Sequence, residues 1–182
     1  MINRSDVRIA QAYSWELFRK AGVPVREDER DNIEIVDFDL NHFQTEGMHL
    51  LSLVATDRYV AKVLALSPRQ TEPEHWHPPY GDDPGKQETV RVAFGTLYFY
   101  LPGEAELAAD RIPEGKESVY TCRREIIMKP GDQLTMKPGE KHWFRAGSEG
   151  AVIYTFSSTA RDILDGFSDP DIRRKTTIIE DR

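Results

Sequence analysis

His75 and His77 stand one residue apart in the segment Pro73-Glu74-His75-Trp76-His77-Pro78-Pro79. In an extended strand, side chains at i and i+2 share a face, so the two imidazoles point together while Glu74 and Trp76 point the other way. Such a pair is a pincer for a divalent metal, and the two prolines end the strand directly after it. Glu88 opens a second run, where alternation puts it on one face with Val90, Val92 and Phe94. A carboxylate on an otherwise apolar face is costly unless it is paired or coordinated. His142 follows the Pro138-Gly139 turn and stands beside Trp143 and Phe144. Three neutral imidazoles and one carboxylate make a nitrogen–oxygen donor set suited to Mn, Fe, Co, Ni or Zn, with positions left open if the ion is six-coordinate. Taken singly, each has a plainer reading as a surface pair, a solvated carboxylate or a loop histidine. Their order among these turns makes His75, His77, Glu88 and His142 a candidate metal site.

Other residue types near this set have chemistry to offer. Lys86 lies two residues before Glu88 and is read either as a group that moves a proton or holds a hydroxyl, or as a solvated lysine in a Gly/Asp-rich loop. Lys62 interrupts Val60-Ala61-Lys62-Val63-Leu64-Ala65-Leu66 and shares a face with Val60, Leu64 and Leu66. An inward Lys62 needs a partner or a lowered pKa and would face a substrate; an outward one would snorkel at a sheet edge. Glu74, Trp76 and Trp143 alternate away from the ligand face and read as supporting or packing residues. Tyr98, Phe99 and Tyr100 read as packing, and His42 and His49 have no second ligand at pincer spacing. Cys122 reads as a small buried residue.

The elements that must position these groups are short and mostly extended. Ser5 is a candidate cap for a helix through about Lys20, because Ala10, Tyr13, Ser14, Leu17, Phe18 and Ala21 follow helical spacing; Gly22 and Pro24 stop it. Runs at 33–38, 48–56, 59–66, 71–77, 88–101, 118–128, 133–137, 142–145 and 151–157 are rich in Val, Ile, Thr and aromatics. Gly, Pro and Asp punctuate them, with turns expected at 130–131, 138–139 and 147–150. Many short strands bounded by turns predict a β-sandwich or barrel. The reading is a single mostly-β domain: residues 1–32 a helix and charged connector, 33–160 the barrel, and 161–182 a polar tail packed on the barrel or at an interface. The 182 residues carry 24 Lys+Arg against 31 Asp+Glu, a net charge of −7. That balance lacks the clustered basic residues of a nucleic-acid binder. The lone cysteine excludes a cysteine-rich zinc site, and no apolar run or leader points to a membrane, so a soluble cytoplasmic protein is expected.

The constellation His75-x-His77…Glu88-x6-Gly95 with Gly131…Pro138-Gly139-x2-His142 resembles the two motifs of the cupin superfamily. Here the stretch from His77 to Glu88 is longer than the general pattern, and Ala146 stands where the second motif closes on Asn. Gln70-Thr71-x-Pro73-Glu74-His75-x-His77-Pro78-Pro79, Gly85-Lys86-Gln87-Glu88-Thr89 and Lys141-His142-Trp143-Phe144 are similar to the D-lyxose isomerase family of bacterial cupins. Thr56-Asp57-Arg58-Tyr59 and Ser157-Ser158-Thr159 agree with it.

The resemblance implies a single cupin barrel with an N-terminal helical extension. It also implies a manganese-dependent aldose–ketose isomerase acting on D-lyxose, and on D-mannose, as a homodimer. That chemistry moves a proton between C1 and C2 through an enediol, which calls for a Lewis acid and for proton-shuttling groups. Lys86 is the candidate for the shuttle and Lys62 for substrate binding. Members of the family often carry, two residues before the Ser-Ser pair, a carboxylate that can serve as a proton-transfer group; here that position is Thr155. Two other readings remain open for a cupin His/Glu site: an Fe(II)-dependent dioxygenase, and a metal- or sugar-binding protein without turnover.

Overall fold

The computed structural model describes residues 1–181, so only Arg182 of the expected tail lies outside it. Strand β1 (Ile2–Asn3) leads straight into helix α1 (Arg4–Lys20). Asn3, rather than Ser5, occupies the cap position, without a side-chain hydrogen bond; the Ser5 hydroxyl instead donates to Asp181 at 2.8 Å. The helix buries Val7, Ala10, Ser14, Leu17 and Phe18; of the expected stripe, Tyr13 is exposed and Ala21, the C-terminal cap, is half-buried. It ends where Gly22 takes a φ of 74°, which a side chain would resist. A 3₁₀ turn, Glu27–Asn32, holds the charged connector, none of it buried. Among the described residues, no helix is long and apolar enough to cross a membrane.

The rest is a curled, mostly antiparallel β-barrel of β2 (Glu34–Val36), β3 (Met48–Ala55), β4 (Val60–Leu66), β5 (Thr71–Trp76), β6 (Glu88–Leu101), β7 (Arg124–Met128), β8 (Gln133–Met136), β9 (His142–Ser157) and β10 (Gly166–Phe167), and β11 (Ile178–Ile179) pairs with β1. Two long strands organise it. β9 holds β6 along one edge, and along the other it holds β5 with its first half and β4 with its second. β6 in turn carries β8 and β7. Val36, Phe38, Leu50, Leu64, Val90, Leu97, Phe99, Phe144 and Ile153 fill the interior. α1 covers the outer face, packing Val7, Leu17 and Phe18 with Leu51, Val63 and Val152.

Three strand expectations change. Residues 147–150 do not turn: β9 runs unbroken through them, because Gly150 (φ 78°) and Gly95 (φ 76°) let the paired long strands bend together. A Cβ on Gly95 would lie 2.1 Å from the Gly150 carbonyl oxygen. The register shift between Val92 and Phe94 also moves Phe94 off the Glu88 face and toward the α1 layer. The run 118–128 is extended in a ladder only over Arg124–Met128. Before it, the Thr121 and Cys122 amides donate to the Glu74 carboxylate at 2.6 and 2.7 Å, so a side chain takes the place of a neighbouring strand.

Candidate metal centre and active site

β5 and β9 bring the first and last histidines into register, with His75 directly opposite His142. His77 lies just beyond the end of β5, and Glu88 opens β6. All three imidazoles are buried, and one ligand nitrogen from each lies within 4.8 Å of the others. Their Nδ1 atoms are all engaged: His75 with the Pro73 carbonyl, His142 with the Glu140 carbonyl and His77 with Asp165 Oδ1, each at 2.8 Å. An imidazole donating from Nδ1 presents a free lone pair at Nε2, the tautomer a metal ligand needs. His142 Nε2 is buried and has no hydrogen-bond partner among the described residues. His77 Nε2 stands 3.1 Å from Glu88 Oε2. Convergent imidazole lone pairs, one of them orphaned, beside an ionised carboxylate suit a divalent cation.

The electrostatics keep most of these donors in ligating form. Burial, followed by the neighbouring imidazoles, holds His75 well below the usual histidine range, and burial and His77 push His142 down to about 4. For His77, burial works downward, but Asp165 and Glu88 outweigh it and raise the group. Burial alone would raise Glu88; Lys86 and His77 instead hold it well below the carboxylate range.

Both candidate lysines are placed. Lys86 is buried, with Nζ 3.3 Å from Glu88 and 3.4 Å from Asp162. Despite burial, those carboxylates raise its pKa above the usual lysine value, so it is an ammonium. Lys62 points inward, is 9% exposed and ion-pairs with Asp162. It sits opposite Thr155 and lines the same cavity. Glu74 turns away, accepting from Thr121, Cys122 and Ser168. Trp143 stacks on Tyr100 in an outer layer that includes Tyr120 and Cys122, while Phe99 faces inward and stacks on His142. Cys122 is buried, and its thiol is pushed up to about 12 by burial and then by Glu74.

Four cavity residues escaped the linear reading: Glu72, Asp162, Asp165 and Arg174. Strict alternation puts Glu72 on the Glu74 face. In the structure, three steps along β5, from Glu72 to His75, match two along β9, from Phe144 to His142, so a bulge turns Glu72 onto the histidine face. Pro73 was the available signal, because a proline inside a paired strand marks a bulge or an edge. Burial and then Glu88 push Glu72 up to about 8 against the pull of Lys86 and Arg174. The other three come from the tail, which folds back so that β10 pairs with β5 and Ile172 enters the core. Asp162 ties Lys62, Lys86 and Arg174 together; burial raises it, and these cations bring it down to about 2.

Residues 13–182 match the family described as D-lyxose isomerase. The chain belongs to that family. It is 46% identical over 164 residues to a D-lyxose ketol-isomerase of Cohnella laeviribosi, covering 90% of each chain. It is 45% identical over 175 residues to a D-lyxose/D-mannose isomerase of Thermosediminibacter oceani, covering 96% of this chain and 97% of that one. Family membership makes the chain a sugar isomerase. An L-ribose isomerase of Cellulomonas parahominis superposes with a TM-score of 0.80 at 14% identity, over 98% of both chains, and this likeness is one of fold.

Proposed function

We propose that the protein is a metal-dependent aldose–ketose isomerase that interconverts D-lyxose and D-xylulose. The observation that carries the metal is the set of converging imidazole nitrogens, with His142 Nε2 left unpartnered among the described residues. His75, His77, Glu88 and His142 would hold the ion, most naturally Mn2+, with Co2+, Fe2+, Ni2+ or Zn2+ as competitors. Bound there, it would supply Lewis acidity to a sugar carbonyl and its neighbouring hydroxyl. The relatives' named substrates support D-lyxose first and D-mannose second, two sugars with the same configuration at C2, C3 and C4.

The chain's own groups take the remaining work. Lys86, an ammonium held between Glu88 and Asp162, donates a proton to a sugar oxygen and receives it back from the neighbouring one. Lys62, held by Asp162 against the cavity, donates to a hydroxyl farther along the open chain. Asp165 fixes the His77 tautomer. Buried walls from Leu50, Leu64 and Phe144 exclude water from the reacting carbons.

Protein stripped with a chelator and reloaded with Mn2+ tests this directly. Conversion of D-lyxose to D-xylulose should vanish on stripping and return on reloading; a rate indifferent to metal would end the metal-dependent reading. A homodimer belongs to the same proposal, supported by exposed Leu53, Tyr59 and Phe156. Light scattering should return twice the 20.9 kDa chain mass, and a monomer would refute the dimer.

A further inference from the structure

We propose that Glu72 is the catalytic base, the carboxylate that carries the proton between C1 and C2 of the sugar. The inference rests on the isomerase reading above and adds the residue that the reaction still requires. Four carboxylates line the cavity: Glu72, Glu88, Asp162 and Asp165. Three are committed. Glu88 faces His77 and Lys86, Asp162 holds Lys62, Lys86 and Arg174, and Asp165 accepts from His77. Of the four, Glu72 alone keeps an oxygen, Oε2, that is buried and has no hydrogen-bond partner among the described residues. Leaving a buried carboxylate oxygen without a donor is costly, so its place asks for a group that arrives from outside.

Position favours the same role. Glu72 Oε1 stands 3.6 Å from His75 Nε2, the ligand-side nitrogen, which puts the carboxyl group at the edge of the histidine cluster. Lys86 has no lone pair to accept a proton while it remains an ammonium, so the site needs a separate base. Thr155 offers only a hydroxyl to this cavity. The bulge between Glu72 and His75 is the device that brings the carboxylate to the reacting face.

The step balances within these two residues. Glu72, in its ionised form, takes the C2 proton of the open-chain aldose, the C2–H electron pair forms a C1–C2 double bond, the C1 carbonyl π pair moves onto O1, and O1 takes a proton from the Lys86 ammonium. The O2 hydroxyl then returns a proton to the Lys86 amine, and its electron pair forms the C2 carbonyl. The double-bond pair takes the proton back from Glu72 at C1. Carboxylate and ammonium end as they began, and no oxidant or reductant is consumed.

The test compares Mn2+-loaded wild type with Glu72→Gln, which keeps shape and removes basicity. Three measurements are made: metal content by elemental analysis, binding of a linear pentitol by calorimetry, and deuterium wash-in at C2 of D-lyxose by NMR in D2O. Metal and pentitol binding should match wild type, while turnover and wash-in fall together by about 10²–10⁴-fold, the usual contribution of a general base. Wild-type turnover in the variant would overturn the assignment. So would loss of the metal, which would make Glu72 a ligand instead. A wild type that converts no aldose would refute the isomerase reading itself and Glu72's role with it.

Discussion

Asp165 shows how a single residue outside the proposed ligand set can govern it. Its carboxylate accepts from His77 Nδ1 at 2.8 Å, which fixes the ring and its tautomer. The other two histidines use backbone carbonyls, from Pro73 and Glu140, for the same purpose, so only His77 depends on a replaceable side chain. Asp165→Asn keeps the size but can turn an amide N–H toward Nδ1 and favour the wrong tautomer. Such outer partners are worth about 10–100-fold in metal affinity. Competition against a chromophoric chelator should therefore show Mn2+ binding weakened by about that factor. Unchanged affinity would mean that packing, not this hydrogen bond, orients His77.

Among the elements, the paired long strands β6 and β9 carry the greatest constraint. They must stay hydrogen-bonded along the barrel wall and still bend enough for β9 to serve β5 at one end and β4 at the other. Gly95 and Gly150 supply the bend in the left-handed region. Gly95→Ala would place a methyl 2.1 Å from a backbone oxygen, where no rotamer change relieves it. A residue forced into that region costs about 1–3 kcal/mol before any clash is counted. At roughly 2–4 °C per kcal/mol for a chain of this size, thermal unfolding should begin several degrees lower. The histidine register His75–His142 lies on the far side of the bend from β4, so metal affinity should fall with stability. A Gly95→Ala protein with unaltered Tm would show that the bend is made elsewhere.

At the scale of the whole molecule, stability should depend on pH through His49, outside the proposed metal site. This side chain lies between α1 and the barrel, with Nδ1 against the Ser14 hydroxyl and Phe43 packed at 5.0 Å. Burial holds it down at about 4. Between the unfolded value of 6.5 and about 4, the unfolded chain binds a proton that the folded chain refuses. The stabilisation from neutral His49 is thus complete above 6.5 and is lost as pH falls toward 4. Its full weight approaches a tenfold change in the folding equilibrium per pH unit, about 1.4 kcal/mol. Urea midpoints of metal-free protein between pH 7 and 5 should fall less steeply for His49→Gln than for wild type. Parallel curves would remove His49 as a source of acid sensitivity.

Local order in the chain was enough for the turn-bounded strands, the helix stripe and the parity that sets His75 and His77 on one face. It also sufficed for Glu88 at a strand start and His142 after a Pro-Gly turn, because alternation and turn chemistry act over a few residues. Strict alternation failed where a residue was inserted: at Glu72, where a bulge reverses parity, and at Phe94, where the register slips. The continuity of β9 was hidden as well, since glycines that end a hairpin and glycines that bend a long strand read alike. The tail gave no local signal for its part in the site. Asp162, Asp165 and Arg174 are ordinary charges in a polar stretch until β10 docks on β5 and carries them to residues far away in the chain, Lys62, Lys86 and His77. Short-range periodicity therefore determined the metal-ligand candidates, whereas the groups that orient those candidates and the Glu72 carboxylate in the cavity depended on long-range pairing.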